Sequence, residues 1–425
     1  MNRREFIGAG AMLGASAWLG TWTEAFAAAA KDPAVGKAWA GWTKGHFQIH
    51  SIYTGVGESL FLIFPDGTTA LLDCGDWPAA MRGKSSVPVL PNAETHAGEW
   101  IARYVKRVNP HPDEIDYLIV SHLHPDHTGT EKGAKPKPSG FPDNGGCARS
   151  GFALVAETAK FRTAIDRGWP NYDDPLPLDE KHDGWESLVH MRKTYAWLRK
   201  RDGMTVEQCR VGATDQIVQL RDPAGHPGFT VRNICANGRV LMKDGMIDAS
   251  INATYREKKR YRENAMSIGH LFRYGAFTFY SAGDFADPGF GVEETLARAV
   301  GRVQVAKINH HGYKSMVPEL VGALRARVWI ACVWHQTHVL AETMERLCDR
   351  TTYPDERLIV PGVFSKERRT EDAGKPWVKD IPEEVYEGGH VVIDVPPGGE
   401  TYTVSVLTAS DESMAVRGVF HFKSR

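Results

Sequence analysis

The stretch Ile115-Asp116-Tyr117-Leu118-Ile119-Val120-Ser121-His122-Leu123-His124-Pro125-Asp126-His127 decides the fold of this chain. Its first six residues are mostly apolar and predict a buried strand. The histidines and the aspartate would stand at the end of that strand, and imidazole and carboxylate groups suit Zn²⁺ and related metals. His122 and His124, two residues apart in extended backbone, point the same way and can share one ion. Asp126 and His127 can turn toward a second ion, since two metals about 3.5–4 Å apart form a common hydrolytic arrangement.

The order His-x-His-x-Asp-His is similar to the signature of the metallo-β-lactamase superfamily, and the resemblance covers most of residues 46–345. Residues 49–59 resemble the first hairpin of that fold, and Asp73-Cys74-Gly75 resembles its D-x-G step. The resemblance implies an α/β fold, the metallo-β-lactamase αββα sandwich of two mixed β-sheets flanked by helices, here with a large insertion. It also implies that Asp73 braces the metal loop from behind, whereas the alternative for this step is a simple turn at a strand end.

The second half of the chain supplies further candidate ligands. A strand predicted over residues 276–282 ends in Gly283-Asp284, which resembles the metal-bridging aspartate of the family. Another, over residues 303–308, leads into His310-His311-Gly312. By this resemblance His311 ligates, and His310 binds the oxyanion or protonates the leaving group, although the two roles can be reversed. The predicted metal ligands are thus His122, His124, Asp126, His127, Asp284 and His311, and the predicted catalytic groups are Asp126 and His310.

Four short motifs together resemble the ComEC/Rec2-like branch of the family: residues 55–59, Asn264-Ala265-Met266-Ser267, Gly283-Asp284 and His310-His311-Gly312. Many family members carry a metal-binding histidine near the second motif, where this chain has Asn264. Its amide can bind a metal weakly, hold a ligand in place, or simply stabilise the entry to a strand. Glu58 also departs from the family, which often has aspartate there. We therefore expect one or two Zn²⁺ ions, with Mn²⁺ or Fe²⁺ as alternatives.

The N-terminus predicts export. Arg3-Arg4, an uncharged apolar run and Ala25-Phe26-Ala27 are typical of a Tat-type signal peptide over residues 1–27. The apolar run is short and interrupted, so an uncleaved membrane anchor is the weaker alternative. This interpretation places residues 28–425 as a metallo-β-lactamase-fold catalytic domain in the periplasm or outside the cell, with no stable membrane span after cleavage.

The composition restricts the classes of partner and cofactor that we expect. The chain has 425 residues and a formal net charge of −1, so no global positive field favours tight, non-specific binding of nucleic acid. Six cysteines allow disulfides in an oxidising compartment, and none stands in C-x-x-C spacing, which argues against a structural zinc. No specific protein partner follows from the sequence.

Segments around the motifs predict how the site is shaped. Residues 131–210 are predicted to be a substrate-shaping insertion with a helix near residues 184–200; in it, Trp169 and Tyr172 either contact substrate or pack internally. Strands are expected at about residues 216–220 and 229–234. Residues 385–425 are predicted to be C-terminal edge strands that complete the second sheet.

Two polar clusters have two interpretations each. Residues 256–262 are rich in arginine and lysine and form either a solvated loop or a cationic rim for phosphorylated substrates. Residues 334–338 follow a strand predicted over residues 328–333, and we expect His338 near the site, with His335 a weaker candidate. Lys314 either steadies a phosphate or is an ordinary surface lysine.

These observations predict an exported metal-dependent hydrolase that uses a metal-bound hydroxide. The resemblance favours a phosphodiester or another phosphorylated substrate, either a small molecule or a cell-envelope component, with nucleic acid as a less favoured substrate. The alternatives are a lactam, lactone or other ester hydrolase of the same fold, and a catalytically silent periplasmic metal-binding protein.

Overall fold

The computed structural model describes residues 32–78, 83, 86–132, 134, 145–360, 372, 374–375, 377 and 388–425. The predicted signal peptide, residues 1–27, lies outside them. The first strands are β1 Phe47–Ser51, β2 Leu60–Ile63, β3 Thr69–Leu72, β4 Glu114–Ile119, β5 Lys160–Asp166, β6 Thr205–Gln208, β7 Phe229–Ala236, β8 Arg239–Leu241 and β9 Ile247–Asp248. The remaining strands are β10 Gly269–Tyr274, β11 Phe277–Ser281, β12 Val305–Lys307, β13 Val328–Ile330, β14 Leu358–Val360, β15 Gly389–Val395, β16 Thr401–Thr408 and β17 Val416–Lys423. The helices are α1 Ala97–Val108, α2 Pro125–Thr128, α3 Phe152–Ala156, α4 Trp185–Asp202, α5 Ser250–Lys258, α6 Val292–Ala299, α7 Pro318–Leu324 and α8 Ala341–Cys348.

The strands form two mixed sheets. The first has the order β17-β16-β15-β1-β2-β3-β4-β5-β6, and the second has the order β14-β13-β12-β11-β10-β7-β8-β9. In the first sheet β3 to β6 run parallel, and in the second β11 to β14 do so, while the neighbouring pairs are antiparallel. Parallel strands need cover on both faces, which explains why every residue of β3, β13 and β14 is buried.

Side chains of the first sheet divide between two cores because successive residues of a strand point to opposite faces. In β2, Leu60 and Leu62 belong to the core shared with the second sheet, whereas Phe61 and Ile63 belong to the core under the helices. Helices α1 and α4 cover that outer face with residues such as Ile101 and Leu198. Helices α6, α7 and α8 pack on the second sheet in the same way. The layers are therefore helix, sheet, sheet and helix.

Two predictions about strands were wrong. Residues 216–220 form no strand: Ile217 is buried, but the backbone N–H groups of Val218 and Leu220 donate to the side chains of Tyr117 and Thr68 instead of to a sheet partner. The C-terminal strands β15 to β17 lie at an edge, but of the first sheet, because β15 pairs with β1. The apolar pattern predicts that a segment is buried, not which edge it joins.

The predicted insertion, residues 131–210, lies only partly outside the sheets. Strands β5 and β6 extend the first sheet in parallel from β4, and α4 covers the outer face of that sheet. Cys74, Cys209, Cys235 and Cys332 are buried thiols. Among the described residues no helix is both long and apolar enough to cross a membrane.

Candidate metal centre

The candidate ligands gather at one edge of the two sheets because they follow the carboxyl ends of strands. Asp73 follows β3, the motif of residues 121–127 follows β4, Asp284 follows β11, and His310 and His311 follow β12. The carboxyl ends of parallel strands meet at one edge of a sheet, and that edge is the usual place for a site in such folds. The fold therefore brings together groups that lie up to 238 positions apart, from Asp73 to His311.

The first group of donor atoms comes from His122 and His124. His122 Nε2 and His124 Nδ1 lie 3.1 Å apart, so both lone pairs can face one cation. The outer ring nitrogens are engaged elsewhere: His122 Nδ1 is 3.0 Å from the hydroxyl of Ser121, and His124 Nε2 is 3.8 Å from the carboxylate of Asp183. Metal-ligating histidines almost always have such partners on their second nitrogen, and these partners set the tautomer.

The second group comes from Asp126, His127 and His311, which are all buried. His311 Nε2 lies 3.1 Å from Asp126 Oδ2 and 3.2 Å from His127 Nε2. The outer nitrogens are again held, with His127 Nδ1 at 2.7 Å from Asp73 Oδ2 and His311 Nδ1 at 2.7 Å from the carbonyl oxygen of Cys332. Asp73 thus occupies the bracing position that the sequence predicted for it.

Asp284 lies between the two groups. Its Oδ2 is 3.2 Å from His311 Nε2, 3.3 Å from His127 Nε2 and 3.8 Å from His122 Nε2. A single carboxylate oxygen therefore faces donor atoms of both groups. This arrangement is what a bridging ligand between two cations requires.

The charge balance of the site also fits a cation. Burial lowers the pKa of His311, but the carboxylates of Asp284 and Asp126 outweigh it and raise that pKa to about 9. Burial likewise opposes ionisation of Asp126, yet His127 and His311 hold the pKa of that carboxyl well below its usual range. The buried group thus attracts positive charge at its centre, and its nitrogen and oxygen donors suit Zn²⁺, Mn²⁺ or Fe²⁺. The residues present fit a metal.

Two glycines allow the motif to sit this close to its neighbours. A Cβ atom on Gly57 would lie 2.2 Å from the carbonyl oxygen of Asp126, and one on Gly75 would lie 2.1 Å from the same oxygen. The N–H of Glu58 donates to that oxygen at 2.8 Å. The glycines of the two N-terminal motifs are therefore required by close backbone approach.

A buried ion pair between Lys307 and Glu58 lies next to Asp284. Lys307 Nζ is 2.5 Å from Glu58 Oε2 and 3.4 Å from Asp284 Oδ1, and all three side chains are buried. Glu58 also lies among possible ligands, because an oxygen of Glu58 and donor atoms of His127, Asp284 and His311 fall within 4.8 Å of one another. We assign Glu58 as the counter-ion of Lys307, since a buried ammonium without a partner would be far more costly.

His310 separates from His311 and pairs with Asn264. Asn264 Nδ2 lies 2.9 Å from His310 Nε2, while Asn264 Oδ1 and His310 Nδ1 are buried without a partner among the described residues. Burial lowers the pKa of His310 to about 4, so the ring is neutral at physiological pH. Both histidines have a positive φ, 47° and 51°, and such backbone strain is concentrated at functional sites.

The other predicted site residues are placed as follows. His338 is buried and its ring stacks on that of His311, with centroids 5.2 Å apart, whereas Lys314 is exposed. Tyr172 is buried with its ring near Arg167, and Trp169 packs edge-on against Tyr195. Internal packing therefore accounts for both aromatic residues of the predicted insertion.

The basic cluster of residues 256–262 does not act as one surface. Arg256 pairs with Asp174 at 2.8 Å, and Tyr261 is buried. Arg262 alone reaches toward the centre, with its guanidinium 4.0 Å from Asp183, the carboxylate beside His124.

Three further residues of the site were not predicted from the sequence. Asp183 and Lys307 have the contacts given above. Glu263 accepts a hydrogen bond from the N–H of Leu123, between the two histidines of the motif, at 3.0 Å and is paired with Arg167 at 2.5 Å. Glu263 directly precedes the Asn264 motif, which the sequence analysis singled out. No local sequence pattern predicts its hydrogen bond to Leu123, which lies 140 residues earlier in the chain.

Comparison with known proteins agrees with this geometry. The sequence model of the Metallo-beta-lactamase superfamily matches residues 53–133, which include the motif of residues 121–127 and strands β2 to β4. The fold is a metallo-β-lactamase fold. Its two mixed sheets and flanking helices are those expected from the sequence. A search among curated proteins found no match.

Solved structures give more distant matches. The CmlA beta-hydroxylase in a mutant form matches with a TM-score of 0.36 and 13% identity, over 74% of this chain and 52% of that chain. CmlA from Streptomyces venezuelae, a diiron beta-hydroxylase, matches with a TM-score of 0.37 and 13% identity, over 75% of this chain and 54% of that chain. This chain therefore spans about half the length of these two proteins.

Proposed function

We propose that this protein is a metal-dependent hydrolase of a phosphodiester or another phosphorylated substrate. One observation carries the proposal: the oxygen Asp284 Oδ2 faces donor atoms of both the His122 group and the His127–His311 group, at 3.2–3.8 Å. Two cations held in this way can bind both the attacking and the leaving oxygen of an ester. The proposal extends to Zn²⁺ as the metal, with Mn²⁺ or Fe²⁺ as alternatives.

The residues of the chain would divide the chemistry between them. When bound, divalent cations lower the pKa of a water molecule and polarise the ester oxygen. Asp126 Oδ2 faces the same centre and would orient the attacking water. In the amide orientation described, Asn264 donates to His310 Nε2, so a neutral His310 carries its hydrogen on Nδ1. That N–H has no partner among the described residues and would stabilise the developing oxyanion or protonate the leaving group.

An anionic substrate is supported by an exposed cation close to one of the candidate ligands. Arg262 is exposed, and its guanidinium lies 4.0 Å from the carboxylate of Asp183. That carboxylate lies 3.8 Å from the ring of the ligand candidate His124. The net charge of −1 weighs against tight, non-specific binding to nucleic acid. We therefore favour a small or cell-envelope phosphodiester, hydrolysed in the periplasm or outside the cell if residues 1–27 act as a Tat signal peptide.

The first experiment combines metal analysis with activity. The mature protein, purified without chelator, is assayed for Zn, Mn and Fe and for hydrolysis of bis(p-nitrophenyl) phosphate and nitrocefin. An Asp126→Ala/His127→Ala variant should lose metal and diester cleavage together. The matched control is Asp32→Ala/His421→Ala, which removes an aspartate–histidine pair at 3.1 Å on the surface.

Each outcome decides between the candidate functions. Diester cleavage that is lost in the site variant and kept in the control supports the proposal. Turnover of nitrocefin alone favours the lactam hydrolase, and bound metal without any turnover favours the silent metal-binding protein. Absence of metal from active preparations would overturn the proposal.

A further inference from the structure

Aromatic rings from two loops border one side of the metal centre. The ring of His338 is parallel to that of His311, with an interplanar angle of 10°. Trp334 meets His338 edge-on at a centroid distance of 4.9 Å, and Trp77 meets Trp334 at 5.1 Å. We call Trp77, Trp334 and His338 the indole wall. It leads outward from a ligand candidate to two half-buried tryptophans.

The indole wall holds polar atoms that nothing in the described part of the protein satisfies. Trp77 Nε1, Trp334 Nε1 and His338 Nδ1 are buried and have no hydrogen-bond partner among the described residues. Buried polar groups are nearly always hydrogen-bonded, so three neighbouring exceptions beside a candidate active site point to a ligand. An indole N–H can only donate, so the ligand must bring acceptors.

The shape and polarity of the indole wall narrow the ligand further. The two tryptophans are uncharged, and aromatic rings pack favourably on such faces by stacking or edge-on contact. A carbohydrate would also bring hydroxyl hydrogens, for which the indole rings offer no acceptor. The wall therefore fits a flat ring with acceptor atoms at its edge better than it fits a sugar.

We propose that the indole wall binds an aromatic, acceptor-bearing group of the substrate, next to the ester that the metal centre holds. A nucleobase and a nitrophenyl ring share this chemistry. The inference rests on the proposed function in one respect, because it takes the metal centre to hold the anion of the ester.

The test uses non-hydrolysable phosphonates, so it does not depend on turnover. Methylphosphonate, phenylphosphonate and 4-nitrophenylphosphonate are titrated calorimetrically into the metal-loaded full-length mature protein. We expect 4-nitrophenylphosphonate to bind about tenfold more tightly than methylphosphonate, with phenylphosphonate between them. Trp77→Leu should abolish this preference and leave methylphosphonate binding unchanged within about twofold, because Trp77 is linked to the ligand candidate His311 through Trp334.

A second variant separates the ring from its donor. Trp77→Phe keeps an aromatic ring and removes the N–H, so it should reduce the advantage of the nitrophenyl over the phenyl probe. Trp42→Leu is the control, because Trp42 is half-buried next to Gly67, in the β2–β3 turn at the opposite end of β3 from Asp73.

The outcomes separate this inference from the proposed function. Equal affinity for the three probes, failure of all three to bind, or a preference that survives in both variants would overturn the inference. Tighter binding of the aromatic phosphonates by a protein that hydrolyses no diester would support the role of the indole wall. The same result would contradict the phosphodiesterase proposal.

Discussion

At the residue scale, Lys307 is the most informative side chain that the motifs did not include. A fully buried ammonium is expensive, and here it contacts Glu58 and the inner oxygen of Asp284. By occupying Asp284 Oδ1, Lys307 leaves Oδ2 to face the ligand histidines. We infer that Lys307 positions the bridging carboxylate as well as balancing its charge.

The first prediction distinguishes these two roles of Lys307. Lys307→Met leaves two buried carboxylates without their partner, so the free energy of unfolding should fall by roughly 3–5 kcal/mol and metal content should drop. In Glu58→Gln/Lys307→Met much of the stability should return, because the unpaired glutamate is gone, while metal affinity stays low. The measurements are urea unfolding and chelator competition. Full recovery of metal affinity in the double variant would show that charge balance alone matters.

The second prediction concerns Asp183, which lies on an exposed loop far from the motif in sequence. Its carboxylate is 3.8 Å from the outer nitrogen of His124. Asp183→Asn should weaken metal binding roughly tenfold to a hundredfold, because the histidine loses the partner that orients it. Chelator competition measures the effect. Asp179→Asn is the control, since the carboxylate of Asp179 accepts the N–H of Lys181 in the same loop. An equal effect in both variants would refute a specific role of Asp183.

At the element scale, β1 and β15 carry two histidines that are buried away from the centre. His50 and His390 are both buried, and His390 Nδ1 accepts the N–H of Tyr53 at 3.0 Å. Burial lowers the pKa of each ring to about 3, from an ordinary value of 6.5. The folded state therefore binds fewer protons than the unfolded state between these pH values, and its stability falls as the pH falls from 6.5 toward 3.

The third prediction follows from this loss of stability at low pH. At pH 5 each such histidine costs about 2 kcal/mol of stability relative to neutral pH. His390→Asn keeps an acceptor for Tyr53 but removes the titration, so its loss of stability between pH 7 and pH 5 should be smaller than that of the wild type by about this amount. Chemical unfolding at the two pH values measures it. An unchanged dependence of stability on pH in His390→Asn would contradict the prediction.

The elements themselves were predicted with uneven success, for physical reasons. Long apolar runs such as β4 and β11 were predicted because burial leaves a local pattern. Residues 216–220 carry a similar pattern, but their backbone N–H groups donate to the side chains of Tyr117 and Thr68, which lie at least 100 residues away. Local propensity is overruled where tertiary contacts satisfy the backbone differently.

At the scale of the whole molecule, the metal would link the two halves of the sandwich. His122 and His124 lie in the loop after β4 of the first sheet, and Asp126 and His127 lie in the short helix α2 that follows it. Asp284 and His311 follow strands of the second sheet. A cation bound to ligands from both sheets stabilises the folded state, because the unfolded state lacks the assembled site.

The fourth prediction is that chelation lowers the melting temperature. At metal concentrations 100 to 1,000 times the Kd, binding adds about 3–4 kcal/mol to the free energy of unfolding. Thermal unfolding with and without EDTA should show this loss, and re-addition of metal should reverse it. Asp126→Ala/His127→Ala should respond much less. A melting temperature insensitive to chelator in the metal-loaded wild type would contradict a cation shared by the two sheets.

The sequence by itself determined the fold class and predicted the candidate ligands, because both leave local signals: apolar strands that end in histidine and aspartate, and glycines where backbones approach. The tertiary structure decided that His311 joins the ligand group while His310 turns to Asn264. It also decided that β15 to β17 complete the first sheet, and that Lys307, Asp183 and Glu263 support the site. These features depend on contacts between residues that are distant in the chain. The energies of such contacts are set by burial and geometry, which no short segment encodes.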